Sequence, residues 1–266
     1  MNRLETAAPI SLSIERVSTA ERVADALRQR LLSGDIAPGT PMRDVELSAR
    51  AGVSRTTVRE ALSVLAREGL LTHSLHRGME VARLAPADVH DIYAMRRVVE
   101  LAGAEALIAG SPAVLAGLER ALQAMSEATA LRDRRGVVAA DVTFHTAIAA
   151  GLGIRRLQTA LEGALMELRL VLSVTDRAYD DLDDQLRRHR YLLDLFWKRS
   201  RAAVMALEEH LLHAEELVCT ALEAADDQNH GSAAREVPFL LPGAGGASAT
   251  SGDVRSPIGH RVRDCR

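Results

Sequence analysis

From Pro86 to about Asp226 the sequence is helical almost without interruption, and that run constrains the fold more than any other feature. Apolar residues recur there at three- and four-residue spacing, and no stretch alternates as a half-buried strand would. Pro86 suits a first helical turn, while Gly110-Ser111-Pro112, Gly136, Gly151-Leu152-Gly153 and Tyr179–Asp184 interrupt the pattern. These breaks predict six helices, near 86–109, 112–133, 137–150, 154–176, 184–198 and 200–226. Amphipathic helices separated by short breaks bury their apolar faces most economically in an antiparallel bundle.

The residues before Pro86 have a different grammar. Ser18-Thr19-Ala20-Glu21 spells a capping box, Val23, Ala26, Leu27 and Leu31 follow at helical spacing, and Ser33-Gly34 stops the helix. A loop at Ile36–Thr40 leads to a short helix around Asp44–Ala51, with Val45 and Leu47 available for the core. Gly52 supplies a tight turn, and Ser54 caps a longer helix through Glu68 that buries Val58, Ala61, Leu62 and Leu65 and ends at Gly69. Leu70–His73 and Met79–Ala82 read as two short strands around the turn Leu75-His76-Arg77-Gly78. The expected fold is therefore mostly α: an N-terminal winged helix–turn–helix with a small β-hairpin, then an all-α antiparallel bundle. The expected divisions are a flexible arm at 1–15, a DNA-binding domain at 16–83, a helical effector domain at 84–226 and a disordered tail at 227–266. The tail is rich in Gly, Ser, Ala and Pro and holds one apolar patch, Val237–Leu241.

The net charge of −3 conceals a division of the same kind. Residues 16–83 carry 11 basic and 8 acidic side chains, or +3, whereas residues 84–226 carry 16 and 22, or −6. Three Phe, three Tyr and one Trp are too few for a module that stacks single-stranded bases on aromatic platforms. Cys219 and Cys265 make neither a disulfide framework nor a zinc pattern. No apolar run reaches the roughly 18 residues of a membrane span. The first fifteen residues, with Glu5 and Glu15, lack the basic start and apolar stretch of a signal peptide. A cytoplasmic protein with no membrane partner is expected. Lys198 is the single lysine, so 32 of the 33 basic residues are arginine. Genomic base composition is one reading of that bias; the other is functional, since arginine forks suit phosphate and carboxylate ligands.

In Ser54-Arg55-Thr56-Thr57-Val58-Arg59-Glu60, Arg55 and Arg59 lie four apart and project from one face, opposite the apolar stripe. Like charges at that spacing disfavour an isolated helix, and an anionic ligand at the helix start reverses the sign. In a helix–turn–helix this end enters the major groove, where arginine grips guanine O6 and N7. The alternative is a solvated charged turn. His76 and Arg77 in the wing are candidates for backbone or minor-groove contact.

These residues carry a resemblance. Gly39-Thr40, Glu46-Leu47, the run Gly52–Leu62, Leu65, Glu68-Gly69-Leu70 and Arg77-Gly78 resemble the winged helix of the GntR family, over about 65 residues. The resemblance implies DNA contact by Arg55, Thr56 and Arg59. Thr57 stands where many members have proline, and its backbone N–H remains available to Ser54. Val45 stands where some members carry a DNA-contacting arginine.

A second constellation lies in the helical part. Asp141 and His145 are four apart on one predicted helix, His189 lies on the next but one, and His210 on the last. Converging, one carboxylate and three imidazoles make a site for Zn²⁺, Mn²⁺ or Ni²⁺ with one or two open positions. Otherwise each histidine is a separate core or surface residue. His213, one turn after His210, is a neighbour or spare ligand.

Asp91–Glu100, Asp141–His145, Arg188-His189-Arg190 and Glu209-His210-Leu211 resemble, in order and spacing, the FadR-type ligand-binding domain called FCD. With the winged helix, the resemblance covers about residues 18–226. It implies a divalent metal held by Asp141, His145, His189 and His210, and a small organic-acid effector whose carboxylate completes the metal shell. Arg96 matches an arginine that faces the effector, with Tyr93 beside it; on spacing alone Arg96 is equally a salt-bridge partner of Glu100. Ile154 stands where the family usually has asparagine.

The leading expectation is a homodimeric regulator, more specifically a repressor, reading a palindromic double-stranded operator, with affinity set by the bound acid. Helix 86–109, which follows the wing directly, is the expected lever. A metal-dependent enzyme is the competing class. Against it stand the attached DNA reader and the lack of an H-E-x-x-H spelling or of a general base beside the site. A metal-free regulator sensing a larger acyl ligand is the third reading, opposed by the four matching ligand positions.

Overall fold

The computed structural model describes residues 18–74, 78–110, 115–173 and 181–229. The N-terminal arm, His76 and Arg77 of the wing turn, and the tail with Val237–Leu241 and Cys265 lie outside the described residues. Three helices open the fold: α1 (Thr19–Leu32), α2 (Asp44–Ala51) and α3 (Arg55–Arg67). The hairpin β1 (Leu71–Ser74) and β2 (Gly78–Val81) follows, one residue later and one earlier than the expected strands. Gly78 has φ of +81°, which L residues rarely adopt, and its pairing with Ser74 closes the ladder at the turn. The loop before α2 adds an edge to the wing: Thr40 accepts from the Val81 N–H, and Met42 donates to the Met79 carbonyl.

Local chemistry explains the helix starts. Ser18 Oγ accepts from the Glu21 N–H while the Glu21 carboxylate accepts from the Ser18 N–H, a complete capping box. Ser54 Oγ accepts from the Thr57 N–H at 3.1 Å, so threonine in place of proline gives α3 a capped first turn. Val58, Ala61, Leu62 and Leu65 of α3 are buried against α1, whose Ala24, Leu27 and Leu31 close the small core. Leu47 joins that core, but Val45 does not: it is 55% exposed. Eight residues give α2 a single buried ridge, and Val45, two places from Leu47, lies across the helix from it.

The six bundle helices form as expected: α4 (Pro86–Ala109), α5 (Leu115–Ala130), α6 (Arg134–Ala150), α7 (Arg155–Leu172), α8 (Leu182–Trp197) and α9 (Ala202–Asn229). One apolar core runs through all of them. Gly103 lets α4 lie directly on α6, because a Cβ there would fall inside contact distance of the Ile148 carbonyl oxygen. Gly103→Ala is therefore expected to cost about 1–3 kcal/mol in urea unfolding; an unchanged midpoint would contradict so close an approach. Among the described residues, no helix is long and apolar enough to cross a membrane.

The bundle is not merely tethered to the winged helix. Leu170 of α7 is fully buried in the N-terminal core, with Met166 packed against it. The Ser173 hydroxyl lies 3.3 Å from the Leu31 carbonyl, and Arg135 donates to the Ser33 carbonyl at 2.5 Å. Helices α6 and α7, as well as α4, thus connect the two parts.

Candidate metal centre and DNA-reading helix

Asp141 and His145 project from α6, His189 from α8 and His210 from α9 into one buried cluster, with one ligand atom from each lying within 4.8 Å of all the others. His189 Nε2 is 2.9 Å from Asp141 Oδ1, His145 Nε2 is 3.7 Å from the same oxygen, and His210 Nε2 is 3.3 Å from His145 Nε2. Metal–ligand bonds of about 2.0–2.1 Å put neighbouring ligand atoms at separations of this order. His213 is not in the cluster.

The surrounding bonds orient the rings. His189 Nδ1 donates to the Gln185 carbonyl at 2.8 Å, which leaves the Nε2 lone pair facing the cluster. That Nε2 has no hydrogen-bond partner despite its closeness to Asp141. His145 Nδ1 lies 2.6 Å from Glu100 Oε2, and Arg96 Nε donates to Glu100 Oε1 at 2.7 Å. Arg96, Glu100 and His145 thus form a buried chain that presents His145 Nε2 to Asp141 and His210. Between two neutral imidazoles, facing Nε2 atoms share at most one proton, and the buried His210 Nδ1 is also unpartnered. A cation shared by the Nε2 lone pairs removes the conflict between His145 and His210 and gives the unpartnered His189 Nε2 a ligand role, so the donor set is compatible with a metal site.

Electrostatics agree with that chemistry. Burial opposes the charge on Asp141, but His145, His189 and Arg96 outweigh it and hold its carboxyl far below the usual carboxylate range. Burial likewise opposes the charge on Glu100, and Arg96 with His145 reverses the outcome. Burial keeps His210 neutral, with His189 and His145 adding to the effect, and lowers His145 against the pull of Glu100. The centre therefore offers an ionised Asp141 carboxylate and the rings of His145 and His210 held towards the neutral form, the protonation state that binds a cation. The sign for stability follows: imidazoles whose folded pKa is depressed contribute fully above the ordinary value of 6.5 and lose that contribution as pH falls below it. Thermal melts in chelator are expected to show the metal-free protein losing stability between neutral and mildly acidic pH. A flat profile would contradict neutral burial of these rings.

Arg96 meets the salt-bridge expectation. It pairs with Glu100, and its Nη2 is left buried and unpartnered. Its guanidinium lies 4.8 Å over the Tyr93 ring, and it influences the ionisation of both Asp141 and His210. Glu100 as support for His145 was not legible in the sequence; its spacing showed just the Arg96 partner. Ile154 begins α7 without a side-chain cap, which is what asparagine in that turn would supply.

On the winged helix, Arg55 and Thr56 are exposed at the start of α3, with Arg59 one turn on. Both guanidiniums reach the same carboxylate of α2: Arg59 Nε and Arg55 Nη2 lie 2.6 and 3.1 Å from Asp44 Oδ2. No spacing rule in the sequence links Asp44 to these arginines. That carboxylate fixes the arginine pair on one face while leaving each fork mostly in solvent.

Residues 19–81 match the family model for "Bacterial regulatory proteins, gntR family", and residues 91–214 match the FCD domain. A gluconate operon transcriptional repressor of Bacillus licheniformis is 31% identical, over 71% of this chain and 79% of that protein. A probable D-xylose utilization operon transcriptional repressor of Paenarthrobacter nicotinovorans is 28% identical, over 76% and 87%. A crystal structure of a GntR regulator from Rhodococcus sp. RHA1 superposes with TM-score 0.62 at 31% identity, covering 82% of this chain and all of that one. Fold and relatives together define a DNA-binding transcription regulator rather than an enzyme. The chain belongs to the GntR family, and its helical part is an FCD domain.

Proposed function

We propose that this protein is a metabolite-responsive repressor whose operator affinity is set by a small carboxylate bound at a divalent-metal centre. Asp141, His145, His189 and His210 hold the ion, and Arg96, with Tyr93 beneath it, receives the carboxylate on its unpartnered Nη2. The observation that carries this reading is the convergence of four ligand atoms within 4.8 Å in a buried site. When bound, Zn²⁺, Mn²⁺ or Ni²⁺ supplies a Lewis-acidic position open to a carboxylate oxygen.

In this reading, residues 16–83 read DNA through Arg55, Thr56 and Arg59 on α3, with Thr57 shaping its capped start and His76 and Arg77 serving the wing. A homodimer pairs two readers on a palindromic operator. The effector acts by preferring one arrangement of reader and bundle, and coupling of about 1–3 kcal/mol is the usual scale. Residues 84–226 transmit it through α4, α6 and α7. That two relatives are named as operon repressors supports repression, and the name of the gluconate operon fits a sugar-acid effector.

A thermal-shift screen of small carboxylates, with and without EDTA, tests the proposal. Stabilisation by one class of acid that disappears on chelation is expected. Stabilisation unaffected by EDTA would transfer the reading to a metal-free acyl sensor.

A further inference from the structure

Between the end of α1 and the bundle lies a cavity of about 160 Å³ that the metal centre does not use. Arg134 and Arg135 from the first turn of α6 and Arg169 near the end of α7 line it, together with Ser33 and Ser173, and among the described residues no acidic side chain does. Arg135 is engaged, donating to the Ser33 carbonyl at 2.5 Å and lying 3.6 Å from Asp35. The nearby Asp133 is occupied in capping Gly136.

Arg169 is different. It is half-buried and, among the described residues, has no side-chain hydrogen bond or ion pair. Burial pushes its guanidinium down with no carboxylate to offset it. The α7 dipole favours a cation in this last turn but gives the fork no acceptor. Desolvating a charge without a partner is unfavourable, and an arginine fork matches the paired oxygens of a phosphate group. A cavity of 160 Å³ is below the roughly 300–1,000 Å³ of sites for drug-sized ligands, and suits one tetrahedral oxyanion with a few waters.

We propose that this interdomain cavity is a second ligand site that takes a phosphate group, either free or carried on a small metabolite, with Arg169 as the principal contact and Arg134 and Arg135 beside it. Its walls come from both parts of the protein: Ser33 ends α1 of the reader, while the arginines belong to the bundle. An anion there stabilises the docked arrangement of the two. The site is separate from the metal centre, although α6 begins at one and carries Asp141 and His145 to the other.

Isothermal titration of the full-length, EDTA-treated protein with inorganic phosphate, at ionic strength held constant with chloride, tests the proposal. Saturable binding is expected in wild type and equally in His189→Ala. Arg169→Gln is expected to weaken it about tenfold or more, the scale of one lost charge-assisted contact. Arg169→Lys keeps the charge but not the fork and falls between the two. A melting temperature for Arg169→Gln matching wild type in chloride establishes that it folds; Arg135→Gln, at an exposed side chain, is the second variant. A sugar phosphate run in parallel identifies the source: tighter binding than phosphate assigns a phosphorylated metabolite, and equal or weaker binding assigns the free ion. No saturable binding, or equal isotherms for wild type and both glutamine variants, overturns the proposal. So does loss of binding in His189→Ala, which would place phosphate at the metal centre.

Discussion

Replacing His189 with alanine is expected to lower divalent-metal affinity more than about a hundredfold, while the metal-free protein keeps its fold. The scale follows from the neighbours of such ligands, whose loss alone costs about 10–100-fold. His189 is itself a proposed ligand, fixed by its bond to Gln185 and aimed at Asp141. A hundredfold loss removes about 2.7 kcal/mol of metal-dependent stabilisation at saturating ion. Glu100→Gln, which perturbs the support of His145 and the pairing of Arg96 but removes no ligand, is expected to lose less. Competition titrations against a chelating dye give both affinities. Equal affinity in wild type and His189→Ala would remove His189 from the centre.

The second large effect concerns DNA. Arg59→Ala is expected to weaken operator binding by about 1–3 kcal/mol, or roughly 5- to 150-fold, and to relax preference at the base it reads. Arg55→Ala behaves similarly at the adjacent position. The shared Asp44 adds a feature that an arginine count misses. In free protein both guanidiniums already face a carboxylate, so contact with DNA exchanges ion pairs as well as adding them. The fall of affinity with salt is then less steep than two free arginines would give. Fluorescence anisotropy over a salt series, with an operator selected from a random pool, reads affinity and slope together. Arg59→Ala binding like wild type at every salt concentration would place α3 outside the groove.

What could be read from sequence depended on whether the cause was local. Ser18 and Ser54 announce their helices because a cap is a contact between residues three apart, and both caps form as spelled. Periodicity located the six bundle helices because each buries its own stripe. It misassigned Val45 because two apolar residues in an eight-residue helix do not say which one faces the core. The ligands Asp141, His145, His189 and His210 were legible as residue types on helices that a bundle brings together, and through resemblance to the FCD pattern. Their supports were less so. Glu100 reaches His145 across 45 residues of sequence, and no spacing rule joins them. Least visible was the docking of α7, since Leu170 and Met166 look like ordinary bundle residues until the winged helix is set against them. That contact gives a signal in the bundle a route to α1, beyond the α4 connection expected from chain order.

In the proposed mechanism a carboxylate at the metal centre changes affinity for DNA. The most direct test is operator affinity with and without the stabilising acid, in metal-loaded wild type and in His189→Ala. A change of about 5- to 150-fold is expected in wild type, the span of about 1–3 kcal/mol of coupling, and little change in the variant. Equal responses in the two proteins, or no response in wild type with acid bound, would contradict that mechanism.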